Sequence, residues 1–116
     1  YAKDGMDIFK KKCVICHKMY KPQTKEEKQK LVAPPIENAT KNIIISINDI
    51  ELPKDEAELK QLANDFLVDY IQNPSKQKGY CQDKVFDRFG IMPSLKGFIK
   101  DDDLKKVVKW TINNYM

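Results

Sequence analysis

Apolar positions recur at helical spacing in three stretches of the chain, and these stretches predict its main helices. Residues 54–72 carry the clearest apolar stripe, and Pro74 stops it. Residues 101–115 repeat the pattern behind a run of aspartates, which favour a helix N-terminus. Residues 4–17 predict a first helix with an aspartate as its N-cap. The pattern therefore predicts an all-α protein.

The segments between these helices are irregular or ambiguous. Residues 18–40 predict a loop, because three prolines interrupt them, with a short helix over 25–31 that a capping box begins. The β-branched run within 41–52 suits either a short buried helix or an extended segment, since no second strand pattern exists to pair with it. Residues 75–100 predict irregular chain around a short helix near 82–88.

Length and composition restrict the class of protein. The 116 residues correspond to a single domain over 1–116, which can bury a modest core. With 41% hydrophobic and 33% charged residues, the chain is typical of neither a disordered nor a membrane-embedded protein. Its longest apolar run falls far short of the about 20 residues that a membrane span needs. The start at Tyr1 is interpreted as a signal or anchor segment removed, or a domain excised.

The net charge of +4 is too weak to indicate a nucleic-acid partner. Positive charge is nevertheless concentrated near the start of the chain, where six of the first 21 residues are lysine. Two interpretations stay open for this group. It forms an ordinary solvated surface, or it steers an acidic partner protein towards this end of the molecule.

Cys13, Cys16 and His17 form a C-x-x-C-H motif, which is the attachment signal for a c-type haem. Two thiols at this spacing reach the two vinyl groups of one porphyrin, and the adjacent histidine then points at the iron. Three other interpretations compete: a dithiol redox site, a structural pair, and a zinc site completed by Cys81. The dithiol site usually accompanies a βαβ unit, and adjacent cysteine and histidine ligands are awkward for zinc.

A haem iron held by His17 needs a second axial ligand or keeps an open position, and the chain has no second histidine. Four methionines are candidates. Met6 lies on the helix that leads into the motif, Met19 is too close to His17, and Met116 is the last residue. Met92 lies far along the chain in a loop shaped by glycine and proline, so we expect Met92 to be the second ligand.

With these residues in place, the chain resembles the class I c-type cytochromes, which are small monohaem electron carriers. Gly5 and Phe9 precede the haem motif at the family spacing. Residues 33–36 resemble the family's small-Pro-x-Leu segment, and residues 90–95 resemble its Met-Pro loop. A closing helix follows this loop and carries an aromatic residue at Trp110.

The resemblance implies a cytochrome c fold of three to five helices around one covalently attached haem c. It also implies that the Pro34 carbonyl accepts a hydrogen bond from the His17 Nδ1–H, with Pro35 as the rival acceptor. Such a bond fixes the imidazole ring and raises its basicity as a ligand. The resemblance further implies that Gly5 lets the first helix pass close to Trp110.

The function implied is electron transfer rather than catalysis, because His17 and Met92 together leave no open position on the iron. The resemblance implies redox partner proteins, a monomer and a periplasmic location. The alternatives are the haem domain of a larger oxidoreductase, a peroxidase-like enzyme and a ligand-sensing haem protein. Apolar side chains are expected to keep the pocket dry: Phe9, Ile15, Leu31, Ile36, Phe66, Leu67 and Leu95.

Two features depart from the compact family pattern. A charged segment, Lys25 to Lys30, is inserted after the haem motif, and the stretch 36–80 is long. Cys81 has no family role, and it is read as a buried small side chain, a disulfide link between two copies, or a redox group.

Overall fold

The regular elements of the chain are helical. The computed structural model describes residues 4–14, 17–19, 21–78, 80 and 83–116. Over these ranges it contains no β-strand and the following elements: α1 (Gly5–Lys12), α2 (Lys25–Gln29), α3 (Ile36–Glu51), α4 (Glu56–Gln72), a 3₁₀ turn (Lys76–Lys78), α5 (Asp83–Phe89) and α6 (Asp101–Tyr115). The all-α prediction is confirmed. The six helices exceed the expected three to five, because the short α2 and α5 form in addition to the long ones.

Side-chain caps explain where three of the helices begin. Asp4, Thr24 and Asp55 each accept a hydrogen bond from the backbone N–H three residues later, at 2.8 to 3.1 Å. The predicted helices at 54–72 and 101–115 are confirmed within two residues at each end. The first predicted helix is too long, because the chain leaves α1 at Cys13 and turns instead of continuing to residue 17.

Helix α3 corrects the prediction for the middle of the chain. It begins at Ile36, directly after Pro35, and runs without interruption to Glu51. The predicted loop is therefore wrong for residues 36–40, and the ambiguous segment that follows is helical. Proline disfavours a helical conformation of the residue before it, but proline itself is tolerated at the start of a helix. Burial of one apolar face overrides the weak helix propensity of the β-branched residues.

Helix α6 lies at the centre of the packing and contacts α1, α3 and α4. Its predicted apolar face is buried: Leu104, Val107, Val108, Thr111 and Ile112. At the crossing with α1, a Cβ added to Gly5 would lie 2.2 Å from the Trp110 Cβ and 2.8 Å from the Lys106 carbonyl oxygen. The expected close approach is confirmed, and the Phe9 and Trp110 rings pack beside it at 5.3 Å between centroids. None of the described helices combines the length and apolar character needed to cross a membrane.

Candidate functional site

An apolar cavity of about 470 Å³ lies among α1, α3, α4, α5 and α6 and the loops that follow α1 and α5. Helix α3 contributes Ile43 to its wall, α4 contributes Leu67 and Ile71, and α6 contributes Val107 and Val108. This volume lies within the range of about 300–1,000 Å³ that is typical of small-molecule and cofactor sites. The cavity brings together segments from both ends of the chain.

His17 and Met92 both line this cavity. The other three methionines do not line it. Met6 and Met116 are 37% and 36% exposed, and Met19 packs against the hydrophobic core. The fold therefore brings the histidine of the C-x-x-C-H motif and the methionine expected from the sequence to one site. An imidazole nitrogen and a thioether sulfur are a donor pair that holds haem iron in cytochromes c.

The His17 ring is oriented by a backbone carbonyl. Its Nδ1–H donates a hydrogen bond to the Pro34 carbonyl oxygen at 2.8 Å. Because a carbonyl only accepts, the proton is on Nδ1, and the lone pair of Nε2 is left to bind a metal. Burial lowers the pKa of His17 below its ordinary value, while the bond to Pro34 acts in the opposite direction. The neutral ring, which is the form that ligates metals, is therefore favoured.

The acceptor is Pro34 and not its rival Pro35, whose carbonyl is directed into helix α3 instead. The Pro35 carbonyl already accepts a hydrogen bond from the Ala39 N–H at 3.0 Å, in the first turn of α3. A second bond joins the same two segments, because the Ile36 N–H donates to the Lys18 carbonyl at 2.9 Å. The start of α3 and Pro34 before it are therefore bonded both to the His17 side chain and to the backbone of the next residue, Lys18.

The loop that carries Met92 is fixed at both of its ends. At one end, Gly90 terminates α5 with φ of 74°, and its N–H donates to the Phe86 carbonyl at 2.8 Å. At the other end, Ser94 and Leu95 hydrogen-bond to the C-terminal end of α4. Met92 thus lies on a short connection between two anchored points.

The structure describes one cysteine of the motif. Cys13 is half-buried and lines the cavity beside His17. Cys16 and Cys81 lie outside the described residues, as does Ile15. Among the residues that are described, no three His, Cys, Asp or Glu side chains come together to hold a metal ion. The zinc interpretation and the roles of Cys16 and Cys81 therefore stay predictions.

The apolar residues that line the cavity agree only in part with those expected from the sequence. Four of the expected residues line the cavity: Phe9, Ile36, Leu67 and Leu95. Leu31 and Phe66 do not. The Phe66 ring instead packs against Tyr70 and Tyr80, at 5.1 and 4.9 Å between centroids. The helix residues that were missed lie in α3, α4, α5 and the buried face of α6, and the helical spacing of their apolar positions was the signal that could have found them.

Basic residues lie on the surface around the site. Lys12 lines the cavity itself, while Lys10, Lys11, Lys18 and Lys21 are exposed. The charged insertion is attached to this region as well. The single arginine, Arg88 on α5, donates a hydrogen bond to the Lys28 carbonyl at 2.6 Å. Helix α2 is thereby joined to the helix that precedes the Met92 loop.

The chain is similar to an uncharacterized protein of Aquifex aeolicus (strain VF5), with 27% identity over 121 residues, covering 96% of this chain and 73% of the other. No protein-family model matches the chain, and no solved structure matches it.

Proposed function

We propose that this chain is a monohaem c-type cytochrome that carries one electron, with His17 and Met92 as the axial ligands of the haem iron. The observation that carries the proposal is that these two side chains line one apolar cavity. The proposal also takes the fold to be that of the class I cytochromes and the protein to be a monomer.

The residues present fit a covalently attached haem. Cys13 lines the cavity, and Cys16, which lies outside the described residues, is the second thiol of the attachment motif. The His17 Nε2 is the metal-binding nitrogen, because Nδ1 donates to Pro34. A haem c held here supplies a one-electron ferric/ferrous couple, and a thioether ligand favours its ferrous form.

The protein supplies ligation, orientation and a dry environment. The half-buried Met92 thioether and the His17 imidazole are proposed to occupy both axial positions, which suppresses reactions of oxygen and peroxide with the iron. The apolar side chains of α3, α4 and α6 exclude water from the cavity and disfavour the more highly charged oxidised state. An electron carrier therefore explains the site better than a self-contained enzyme does.

Partners and location follow from the same proposal. The lysines near the motif, of which Lys12 lines the cavity, are proposed to guide acidic redox partner proteins to this surface. Haem attachment at C-x-x-C-H takes place outside the bacterial cytoplasm, so we place the protein in the periplasm.

The absorption spectrum of the purified protein tests the proposal. We expect one c-type haem per chain in a pyridine haemochrome assay, a sharp α-band on reduction and a weak far-red ferric band from the bond between iron and methionine. Met92→Ala should abolish the far-red band and lower the reduction potential by on the order of 100 mV, and the reduced variant should bind carbon monoxide.

Met6→Ala is the matched control, because Met6 is partly exposed and does not line the cavity. It should leave the spectrum and the reduction potential unchanged. A protein purified without haem, or a Met92→Ala variant whose far-red band and potential equal those of the wild type, contradicts the proposal.

A further inference from the structure

The C-terminal end of α4 contributes to the wall of the cavity and also presents carbonyl groups that have no donor within the helix. The last four carbonyls of any α-helix lack partners within the helix. In α4, the Asp69 carbonyl accepts from the Asn73 N–H at 2.8 Å, in the ordinary way for a helix end. The carbonyls of Ile71 and Gln72, the last two of the helix, accept from donors outside it.

The Met92 loop supplies both partners. The Leu95 N–H donates to the Ile71 carbonyl at 3.0 Å, and the Ser94 hydroxyl donates to the Gln72 carbonyl at 2.5 Å. Ser94 also accepts from the Lys96 N–H at 3.1 Å, which orients its hydroxyl. The loop therefore acts as the C-terminal cap of α4, although the two segments lie more than twenty residues apart in the sequence.

The connection between this cap and Met92 is short and stiff. Pro93 stands between Met92 and Ser94, and its ring fixes its own φ near −65°. Proline also restricts the residue before it to extended conformations, which here is Met92. Movement of the Met92 side chain relative to α4 is therefore limited chiefly by how firmly Ser94 and Leu95 stay attached to the helix end.

We infer that Ser94 is a positioning residue for Met92, which it holds against the cavity through its hydrogen bond to the end of α4. The inference rests on the proposed function, because it assigns the purpose of the attachment to the bond between Met92 and iron. Ser94 is exposed and does not line the cavity, so it acts through the loop and not by contact with the cofactor.

Competition by imidazole tests the inference. An added imidazole replaces the methionine only when the loop has moved away from the iron, so its apparent affinity for the ferric protein reports how often the loop detaches. Ser94→Ala removes the hydroxyl and leaves the Leu95 bond. We expect it to lower the apparent dissociation constant of imidazole by about fivefold to tenfold, the size expected for the loss of one hydrogen bond.

Two variants separate positioning from a general effect on the structure. Ser94→Thr keeps the hydroxyl, so its imidazole affinity should return to within about twofold of the wild type. Ser75→Ala is the matched control, because Ser75 also makes surface hydrogen bonds, to Gln77, but lies outside the Met92 loop. It should leave imidazole binding unchanged.

Amide hydrogen exchange of the reduced protein gives a readout that does not depend on the iron chemistry. The Leu95 N–H should be protected in the wild type and should exchange about fivefold to tenfold faster in Ser94→Ala, because detachment exposes it. If Ser94→Ala yields no haem-loaded protein, hydrogen exchange of the Leu95 N–H in the wild type still tests the inference. Exchange of the Leu95 N–H at the rate of an unstructured chain overturns the inference.

The outcomes distinguish this inference from the proposed function. If Met92→Ala changes the spectrum as expected and Ser94→Ala binds imidazole as Ser75→Ala does, the positioning role is wrong and the cytochrome assignment stands. If Met92→Ala leaves the spectrum of the wild type unchanged, the ligand assignment itself is wrong, whatever Ser94→Ala does.

Discussion

His17 and Met92 face the same cavity, but the chain holds the two residues in different ways. On the His17 side, the hydrogen bond is made by the imidazole itself, from Nδ1 to the Pro34 carbonyl. On the Met92 side, the hydrogen bonds are made two and three residues later, by Ser94 and Leu95. The histidine ring is therefore oriented directly, while the position of the methionine depends on a loop that is able to detach.

The two attachments also use opposite ends of two helices. The segment of His17 is joined to the start of α3, where the Ile36 N–H donates to the Lys18 carbonyl. The Met92 loop is joined to the end of α4, where it caps two carbonyls. Both connections satisfy backbone groups that a helix end leaves unpaired, so the same bonds that complete the helices also locate the site.

The largest expected effect is on stability, at the crossing of α6 with α1, the helix that precedes the His17 segment. Gly5→Val should lower the free energy of unfolding by about 1–3 kcal/mol and the melting temperature by roughly 5–15 °C. The added Cβ would lie 2.2 Å from the Trp110 Cβ and 2.8 Å from the Lys106 carbonyl oxygen, so the two helices must separate. Thermal unfolding followed by circular dichroism measures the change.

Ala57→Val is the matched control for this substitution. It introduces the same β-branched side chain at an exposed position of α4, where only helix propensity is affected. Its melting temperature should stay close to that of the wild type. If Gly5→Val melts no lower than Ala57→Val, the close crossing of α1 and α6 does not contribute to stability.

Pro35→Ala tests the difference between the His17 side and the Met92 side of the cavity. Pro35 restricts Pro34 to an extended conformation, which aims the Pro34 carbonyl at His17. With alanine at position 35 this restriction is relaxed, the hydrogen bond weakens and the imidazole becomes a poorer donor to ferric iron. We expect the reduction potential to rise by about 20–60 mV, since 59 mV corresponds to a tenfold change in a one-electron equilibrium.

Cyclic voltammetry of the wild type and three variants checks this expectation. Pro53→Ala, which changes a proline ahead of α4 that does not line the cavity, is the control and should leave the potential unchanged. Ser94→Ala should alter imidazole binding far more than it alters the potential, while Pro35→Ala should do the reverse. Equal effects of both variants on both measurements would remove the distinction between the two sides.

The long helices were predictable because their signal is local: an apolar stripe identifies α4 and α6. The C-x-x-C-H spacing makes His17 a candidate ligand in the same local way. Met92 was proposed by elimination among the four methionines, and it lines the same cavity as His17. Helix α3 was harder, because its β-branched residues and the prolines before it argue against a helix, while burial against α4 and α6 favours one.

The hydrogen bonds that attach the segments of His17 and Met92 to the rest of the fold were harder to predict from the sequence. The bond from His17 to Pro34 was expected from a family resemblance and not from the residues alone. The bonds from Leu95 to Ile71 and from Arg88 to the Lys28 carbonyl end on backbone oxygens, which every residue carries. A sequence shows which groups are able to donate a hydrogen bond, but it does not show which distant carbonyl accepts it.

The smallest expected effect concerns an ion pair at the C-terminal end of α4, which is the end that the Met92 loop caps. Lys78, in the 3₁₀ turn after α4, pairs with Asp69 in the last turn of the helix. The hydrogen bond from Lys78 lowers the pKa of Asp69 below its ordinary value of 3.8, and a second one from Asn73 acts in the same direction. Lys78→Gln should raise the pKa of Asp69 towards that value, as measured by NMR titration of the carboxyl group.

The change in stability has a defined dependence on pH. Because the pKa of Asp69 is lower in the folded than in the unfolded chain, the pair stabilises the protein above pH 3.8, and this contribution is lost as the pH falls through the folded pKa. Lys78→Gln should therefore melt a few degrees lower than the wild type at pH 7, and this difference should vanish in strong acid.

Lys54→Gln, at an exposed lysine before α4, controls for the loss of one positive charge. A difference in melting temperature that persists unchanged into strong acid would assign the effect to something other than this pair. It would also mean that the end of α4 is held by the hydrogen bonds of Ser94 and Leu95 without help from the pair of Lys78 with Asp69.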